Sequence, residues 1–189
     1  MFSETVMKAI STLNKEVNLL DHQRDLRMMT ETNWNTEQRK GGERSKETIM
    51  MHTATGLGAE IALHSTGLFT PTSEITKNAE GLSFQQRKRD VLCEEKIGEV
   101  KTMSGKYPNW YISKDQRESI MYCTQFNEFF IVVSYEQLQP LKYRYRPRFL
   151  IDSKAMARYI IKGTGKSAYM FDHKKAIAAD GCKDLWSVA

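Results

Sequence analysis

Cysteine is scarce in this chain, histidine nearly as scarce, and no long apolar run occurs. Its three cysteines, Cys93, Cys123 and Cys182, lie far apart and form no Cys-x-x-Cys pair. That excludes a disulfide framework and a cysteine-built zinc site, and a reducing, cytoplasmic setting is expected. The four histidines, His22, His52, His64 and His173, show neither metal-ligand spacing nor pairing with a nucleophile. No apolar stretch approaches the roughly 20 residues a membrane helix needs, so no membrane partner is expected. The opening MFSETVMKAIST carries Glu4 and lacks a basic start before an apolar block, which is not the pattern of a secretory signal. Internal repeats and low-complexity tracts are also missing, which removes repeat arrays from consideration.

What is present is globular composition: 189 residues, 40% hydrophobic and 27% charged, enough for one domain with a real core. The formal net charge of +5, with a pI near 9.0, permits an anionic partner.

Along the chain, residues 3–29 read as one helix. Val6, Ile10, Leu13, Val17 and Leu20 recur at alternating steps of four and three. That narrow seam suits packing on its own domain or pairing with a second copy, so a homodimer through the N-terminal helix is one expectation. Residues 30–45, with Gly41-Gly42, read as a linker, which places a domain boundary near 44 and a main domain over 45–189. A second helix is expected over 46–66, striped by Met50, Ala54, Leu57 and Ile61. Gly56 and Gly58 inside it imply that something approaches the backbone closely. An extended segment at 68–75 and strands at 87–93 and 96–103 follow. Ser113-x-x-Gln116 has capping-box spacing and opens a helix over 114–125. EFFIVVSY, 128–135, is the strongest strand, with a connection at 135–141, a further strand LKYRYRPRFLI and a helix from Asp152 or Ser153.

The stretch DVLCEEKIGEVKTM, 90–103, places Asp90, Glu99 and Lys101 among apolar residues. Burying such charges without partners costs several kcal/mol. If Glu94-Glu95 is a two-residue turn, opposed residues sum to a constant, Asp90 faces Glu99, and Lys101 shares the face of Glu99. Two carboxylates about 5 Å apart repel unless a cation lies between them. A divalent metal suits the place, because Mg²⁺ takes oxygen ligands and often keeps only one or two protein carboxylates beside phosphate and water. Lys101 then sits beside the metal and its bound water. The same triplet also reads as a solvated hairpin face with a weak salt bridge.

The order helix, strand, strand, strand, helix, strand, with Glu60 in TGLGAEIAL, Asp90 in RKRDVL and Glu99 with Lys101 in IGEVKTM, resembles the PD-(D/E)XK nuclease superfamily. Arg89 stands where that family often has proline. The resemblance covers about residues 45–135. It implies an α/β fold with a mixed central sheet flanked by helices, an αβββαβ restriction-endonuclease-like core, here with an N-terminal helical extension. It also implies Mg²⁺-dependent hydrolysis of DNA phosphodiesters, with Mn²⁺ as a possible substitute. By the same resemblance, Asp90, Glu99 and the carbonyl of Val100 ligate the metal, and Glu60 holds a second ion directly or through water. Lys101 orients and helps activate the attacking water, and Gln116 matches a polar position in the helix after the Glu-x-Lys strand. Two other readings stand beside this one: an inactive DNA-binding protein on the same scaffold, and a small dimerising structural protein.

In KYRYRPRF, Lys142, Arg144, Arg146 and Arg148 alternate with Tyr143, Tyr145, Pro147 and Phe149. One cationic strand face suits a phosphodiester backbone; the pattern equally fits an edge strand protected by charge. Arg87, Lys88 and Arg89 add a second basic cluster beside the hairpin. Gly163-Thr164-Gly165-Lys166-Ser167 lacks the earlier glycine of a phosphate-binding loop, since position 160 is Ile.

Overall fold

In the computed structural model, which describes residues 2–71, 90–163 and 169–187, a mixed sheet is built around the segment expected to be the strongest strand. The N-terminal elements are α1 (Glu4–Thr12), β1 (Lys15–Asn18), a 3-10 turn (Leu19–His22), α2 (Gln23–Arg39) and α3 (Lys46–His64). Then come β2 (Thr70–Pro71), β3 (Val91–Cys93), β4 (Lys96–Ser104), β5 (Tyr111–Ile112), α4 (Lys114–Cys123), β6 (Phe129–Gln139) and β7 (Lys142–Asp152). The chain ends with α5 (Ser153–Tyr159), β8 (Ile160–Lys162), β9 (Tyr169–Phe171), α6 (His173–Ala178) and β10 (Cys182–Asp184). The main sheet runs β1-β7-β6-β4-β3-β2, with β10 also on β7; a small sheet is ordered β5-β9-β8.

Every pairing is antiparallel except β4 with β6. A parallel pair needs a crossover, and α4 lies in the connection that supplies it. Its start follows from sequence: the Gln116 N–H donates to Ser113 Oγ (3.3 Å), and the Ser113 N–H donates to Gln116 Oε1 (2.9 Å). This reciprocal cap satisfies two amides that would otherwise lack partners, and it commits the Gln116 side-chain oxygen to the helix start.

The sheet has a core on each face. Val91, Val100, Phe129, Ile131, Val133, Tyr143 and Tyr145 pack with α1 and α3 on one side. Met103, Ile120, Cys123, Phe130, Val132, Phe149, Ile151 and Met156 pack on the other with α4 and α5. Strand β7 crosses between the two. Val132 pairs with Phe149 and Val133 with Pro147, so Arg148 is an extra, unopposed residue. This bulge moves Phe149 and Ile151 to the face opposite Tyr143 and Tyr145, so the single aromatic face expected from alternation is split in two. Nor is β7 an edge strand: β6 covers one side, and β1 and β10 cover the two ends of the other. Pro147, which has no N–H to offer, falls in the gap between β1 and β10.

The N-terminal helix expected over 3–29 is broken. It stops at Thr12, and Lys15–Asn18 pair instead with Tyr145–Lys142. Tertiary pairing wins here because it buries Val17 and Leu19 beside Tyr143 and Tyr145 while the ladder satisfies the backbone. Val6, Ile10 and Val17 of the proposed dimer seam are buried in the chain's own core, and Leu20 alone is largely exposed at 51%. The expected linker at 30–45 is also mostly helix, since α2 runs to Arg39. Only residues 40–45 connect it to α3, closed by Gly41 at φ +67° and an Arg44–Glu37 ion pair. The segment before α3 thus contributes a strand, Lys15–Asn18, to the sheet and Val6, Ile10, Val17, Leu19 and Leu26 to its core. Further along the chain, β6 extends to Gln139 and turns at Pro140-Leu141, with Leu141 at φ +59°.

Helix α3 runs almost as expected, and the close approach at its glycines is explained at Gly58. A Cβ there would stand 2.1 Å from the Tyr145 hydroxyl, which donates to the Ala54 carbonyl at 3.4 Å. Alanine ordinarily stabilises a helix interior over glycine by about 1 kcal/mol. Against a fully buried tyrosine, overpacking of about 1–3 kcal/mol should win, so Gly58→Ala is expected to lower the urea midpoint. A raised midpoint would show that α3 does not seat tightly on β7.

Among the described residues, no helix is long and apolar enough to cross a membrane.

Candidate active site

The hairpin of β3 and β4 forms with the turn at Glu94-Glu95. Val91 pairs with Gly98, Leu92 with Ile97 and Cys93 with Lys96. Such a turn requires positive φ at both central residues, a geometry that usually selects Asn-Gly. Glu94 and Glu95 adopt it at +46° and +64°. The Ser3 N–H, donating to Glu94 Oε2 at 2.9 Å, fastens the turn to the start of α1.

At Asp90 the ladder departs from the expected register. The Asp90 N–H donates to the Gly98 carbonyl (3.1 Å), already the partner of Val91, so Asp90 does not sit squarely opposite Glu99. Its carboxylate reaches along β4 instead, and Oδ2 accepts from the Val100 N–H at 2.9 Å. Because in-plane groups alternate along a strand, the Val100 carbonyl points to the same side as the Gly98 carbonyl, toward Asp90 and away from β6.

Glu99 and Lys101, two residues apart, share a face. Glu99 is only 5% exposed, and its Oε1 accepts from Lys101 Nζ (2.5 Å) and from the Cys123 thiol at the end of α4 (3.6 Å). Its Oε2 is buried without a hydrogen-bond partner among the described residues. The Lys101 side chain is 26% exposed and reaches a cavity of about 870 Å³ between α2, α3 and α4. Glu60, half-buried on α3, lines that cavity too, with Asn33, Thr53, Asp115 and Tyr122.

Among the described residues, three carboxylates therefore share one ammonium. Burial, with Asp90 and Glu99 as like charges, pushes Glu60 up to about 8. Burial and the neighbouring Glu99 push Asp90 up to about 7. Burial works against the Lys101 charge, but Glu99, Asp90 and the hydrogen bond to Glu99 outweigh it and hold the ammonium above the ordinary lysine range. Burial and Glu99 push the Cys123 thiol up to about 11, so it stands as a neutral donor.

The hairpin triad and Glu60 are thus brought into one electrostatic cluster. Gln116 is placed at a helix cap. Arg87, Lys88, Arg89, Lys166 and Ser167 lie outside the described residues. The β7 cations divide: Lys142 and Arg144 bind Glu16 (3.2 and 2.7 Å), and Arg144 also binds Glu136 (3.3 Å). Arg146 and Arg148 have no carboxylate partner among the described residues and lie over Trp186, at 4.9 and 4.6 Å from its ring centre. Sequence reasoning missed Cys123 and Trp186. Nothing in either residue's local pattern marked it; only packing places them.

Among the described residues, no three His, Cys, Asp or Glu side chains converge as a ready-made metal cage. No family model, curated protein or solved structure matches the chain.

Proposed function

We propose that the protein is a Mg²⁺-dependent endonuclease that hydrolyses DNA phosphodiester bonds on a restriction-endonuclease-like core. The observation that carries this reading is the cluster of Glu60, Asp90 and Glu99 around the Lys101 ammonium, with Glu60 and Lys101 lining a cleft. The element order gives support: α3, the antiparallel run β2-β3-β4, the crossover helix α4 and β6 parallel to β4.

Buried like charges destabilise a fold unless a counter-charge joins them. The residues fit a hard divalent cation, since every candidate donor is oxygen and Glu99 Oε2 is a buried acceptor with no donor of its own among the described residues. Asp90, Glu99 and the Val100 carbonyl would hold Mg²⁺, or Mn²⁺ in its place, and Glu60 a second ion directly or through water. Two carboxylates and a carbonyl are enough protein ligands for Mg²⁺, which keeps several waters or phosphate oxygens. The bound ion would polarise the phosphodiester and make a water nucleophilic at neutral pH.

The chain's own residues supply the rest. Lys101, held as an ammonium, donates to the attacking water or a phosphate oxygen and stabilises the negative charge that develops there. A charged lysine accepts no proton, so its role is orientation and electrostatic stabilisation. Glu99 fixes the lysine from below, and the Cys123 thiol and Val100 amide fix the two carboxylates. Arg146 and Arg148 are the β7 cations free of carboxylates among the described residues, and able to meet phosphates.

Supercoiled plasmid incubated with the purified protein should be nicked or linearised in Mg²⁺ and remain intact in EDTA. Intact plasmid in both Mg²⁺ and Mn²⁺ would overturn the catalytic reading.

A further inference from the structure

A second cleft, of about 660 Å³, opens on the same side of the sheet as Lys101 and includes Lys106, Tyr107, Ser134, Glu136, Arg146 and Trp186 in its lining. The register locates it. Met103 pairs with Ser134, and Ser134 with Arg146, while Lys101 pairs with Val132. Met103 and Val132 belong to the α4-side core, so Lys101, Ser134 and Arg146 share that face. Arg146 lies two strands across and two residues along from Lys101. At ~4.8 Å per strand and ~3.3 Å per residue, their Cα atoms are about 12 Å apart.

The aromatic residues here are not packed as a core would pack them. Tyr107 and Tyr111 are 55% and 50% exposed, the only aromatic residues among the largely exposed apolar side chains of the described chain. Their rings meet edge to face at 6.3 Å. Arg148 Nη1 donates to the Tyr107 carbonyl (3.4 Å), and Trp186 Nε1 donates to the Pro147 carbonyl (3.0 Å), so both aromatic segments are tied to β7. Arg146 is exposed and lies over Trp186 without a carboxylate partner among the described residues, and Lys106 stands on the same rim. Of the acidic residues near the cleft, Glu136 is bound to Arg144.

We infer that this surface, from Tyr111 and Tyr107 across Lys106 to Arg146 and Trp186, binds single-stranded DNA and leads it toward Lys101. Unpaired bases offer their faces to the tyrosines and to the Arg146–Trp186 stack, while Lys106 and Arg146 take phosphates. A duplex can use only the cations of this surface and not its aromatic rings, because its bases are already stacked on one another. The link to cleavage rests on the nuclease reading above; the binding itself does not.

Affinity is measured with the full chain in EDTA, so that no cleavage occurs, using a labelled oligo-dT of about 12 nucleotides and a duplex of equal length. The single strand should bind at least about tenfold more tightly. Replacing Tyr107 and Tyr111 together by alanine should cost single-strand affinity about tenfold or more, because the bases stacked on both rings lose their platform. Duplex affinity and the thermal midpoint should not move, since both rings are exposed. The corresponding double phenylalanine variant should bind as the wild type does. Equal affinity for single strand and duplex, or an alanine variant that binds the single strand like wild type, overturns the proposal. The two readings fail separately: binding of oligo-dT without cleavage of any DNA in either Mg²⁺ or Mn²⁺ removes the nuclease, and plasmid cleavage without single-strand preference removes this track.

Discussion

Lys101→Ala should abolish plasmid cleavage in Mg²⁺ while leaving DNA affinity nearly unchanged. The substitution removes the Lys101 ammonium from among Glu60, Asp90 and Glu99, and with it the donor for charge developing on the phosphate. Deleting a single preorganised donor of this kind costs on the order of 10²–10³ in turnover, and Lys101 here is both donor and counter-charge. Affinity, measured in Ca²⁺, loses at most one phosphate contact, a change in salt-dependence slope of about 0.9 or less. Lys101→Arg separates charge from chemistry: it keeps the cation beside Glu99 and the fold, but places a larger planar group where the ammonium stood. Cleavage by Lys101→Ala at the wild-type rate would remove Lys101 from the site. Comparable loss of cleavage and of thermal stability in Lys101→Ala, with both restored in Lys101→Arg, would assign it a structural role only.

Metal-free protein should lose stability as pH rises from about 4 to about 8, and Asp90→Asn should suppress much of that loss. The sign follows from linkage. Asp90 and Glu60 hold protons in the folded state at pH values where the unfolded chain has released them, so raising pH favours unfolding through that window. For Asp90 alone, moved from its ordinary 3.8 to about 7, the scale is on the order of 4 kcal/mol. His52 and His173, both depressed chiefly by burial, act oppositely below their ordinary value, so the informative quantity is the difference between wild type and variant at each pH. Asparagine keeps an oxygen that can accept from the Val100 N–H, so the variant retains the local bond while losing the charge. Urea denaturation in EDTA at pH 5 and pH 8 measures it. Mg²⁺ should restore stability to the wild type at pH 8 more than at pH 5, because its ligands must be deprotonated. Parallel pH profiles for the wild type and Asp90→Asn would mean that Asp90 is not held at the expense of its charge.

Much of the architecture was legible in the residues themselves, wherever a local cause is sufficient. The Ser113-x-x-Gln116 box opens α4 because its two hydrogen bonds lie within four residues. The β-branched and aromatic run at 128–135 forms β6 because only a sheet interior covers both of its faces. The hairpin register followed from a two-residue turn and simple counting, and Glu99 and Lys101 share a face because strands alternate. The order of these elements was enough to draw Glu60, Asp90, Glu99 and Lys101 into one hypothesis.

What tertiary structure decided lies where residues far apart in sequence compete with a local preference. The heptad-like seam from Val6 to Leu20 favours a helix by periodicity, yet Lys15–Asn18 become a strand because β7, more than 120 residues later, offers a ladder and a core. Lys142 and Arg144 look free in sequence and are bound to Glu16 only because β1 lies alongside them. One unopposed residue, Arg148, moves the following side chains to the opposite face, which alternation alone cannot foresee. At the cluster itself, sequence supplied the charges and their spacing along β4. The burial that raises Glu60 and Asp90, and the Cys123 thiol set against Glu99, come from helices α3 and α4 closing over the strand. Spacing along one strand is a local property of the backbone; desolvation is a property of everything packed around it.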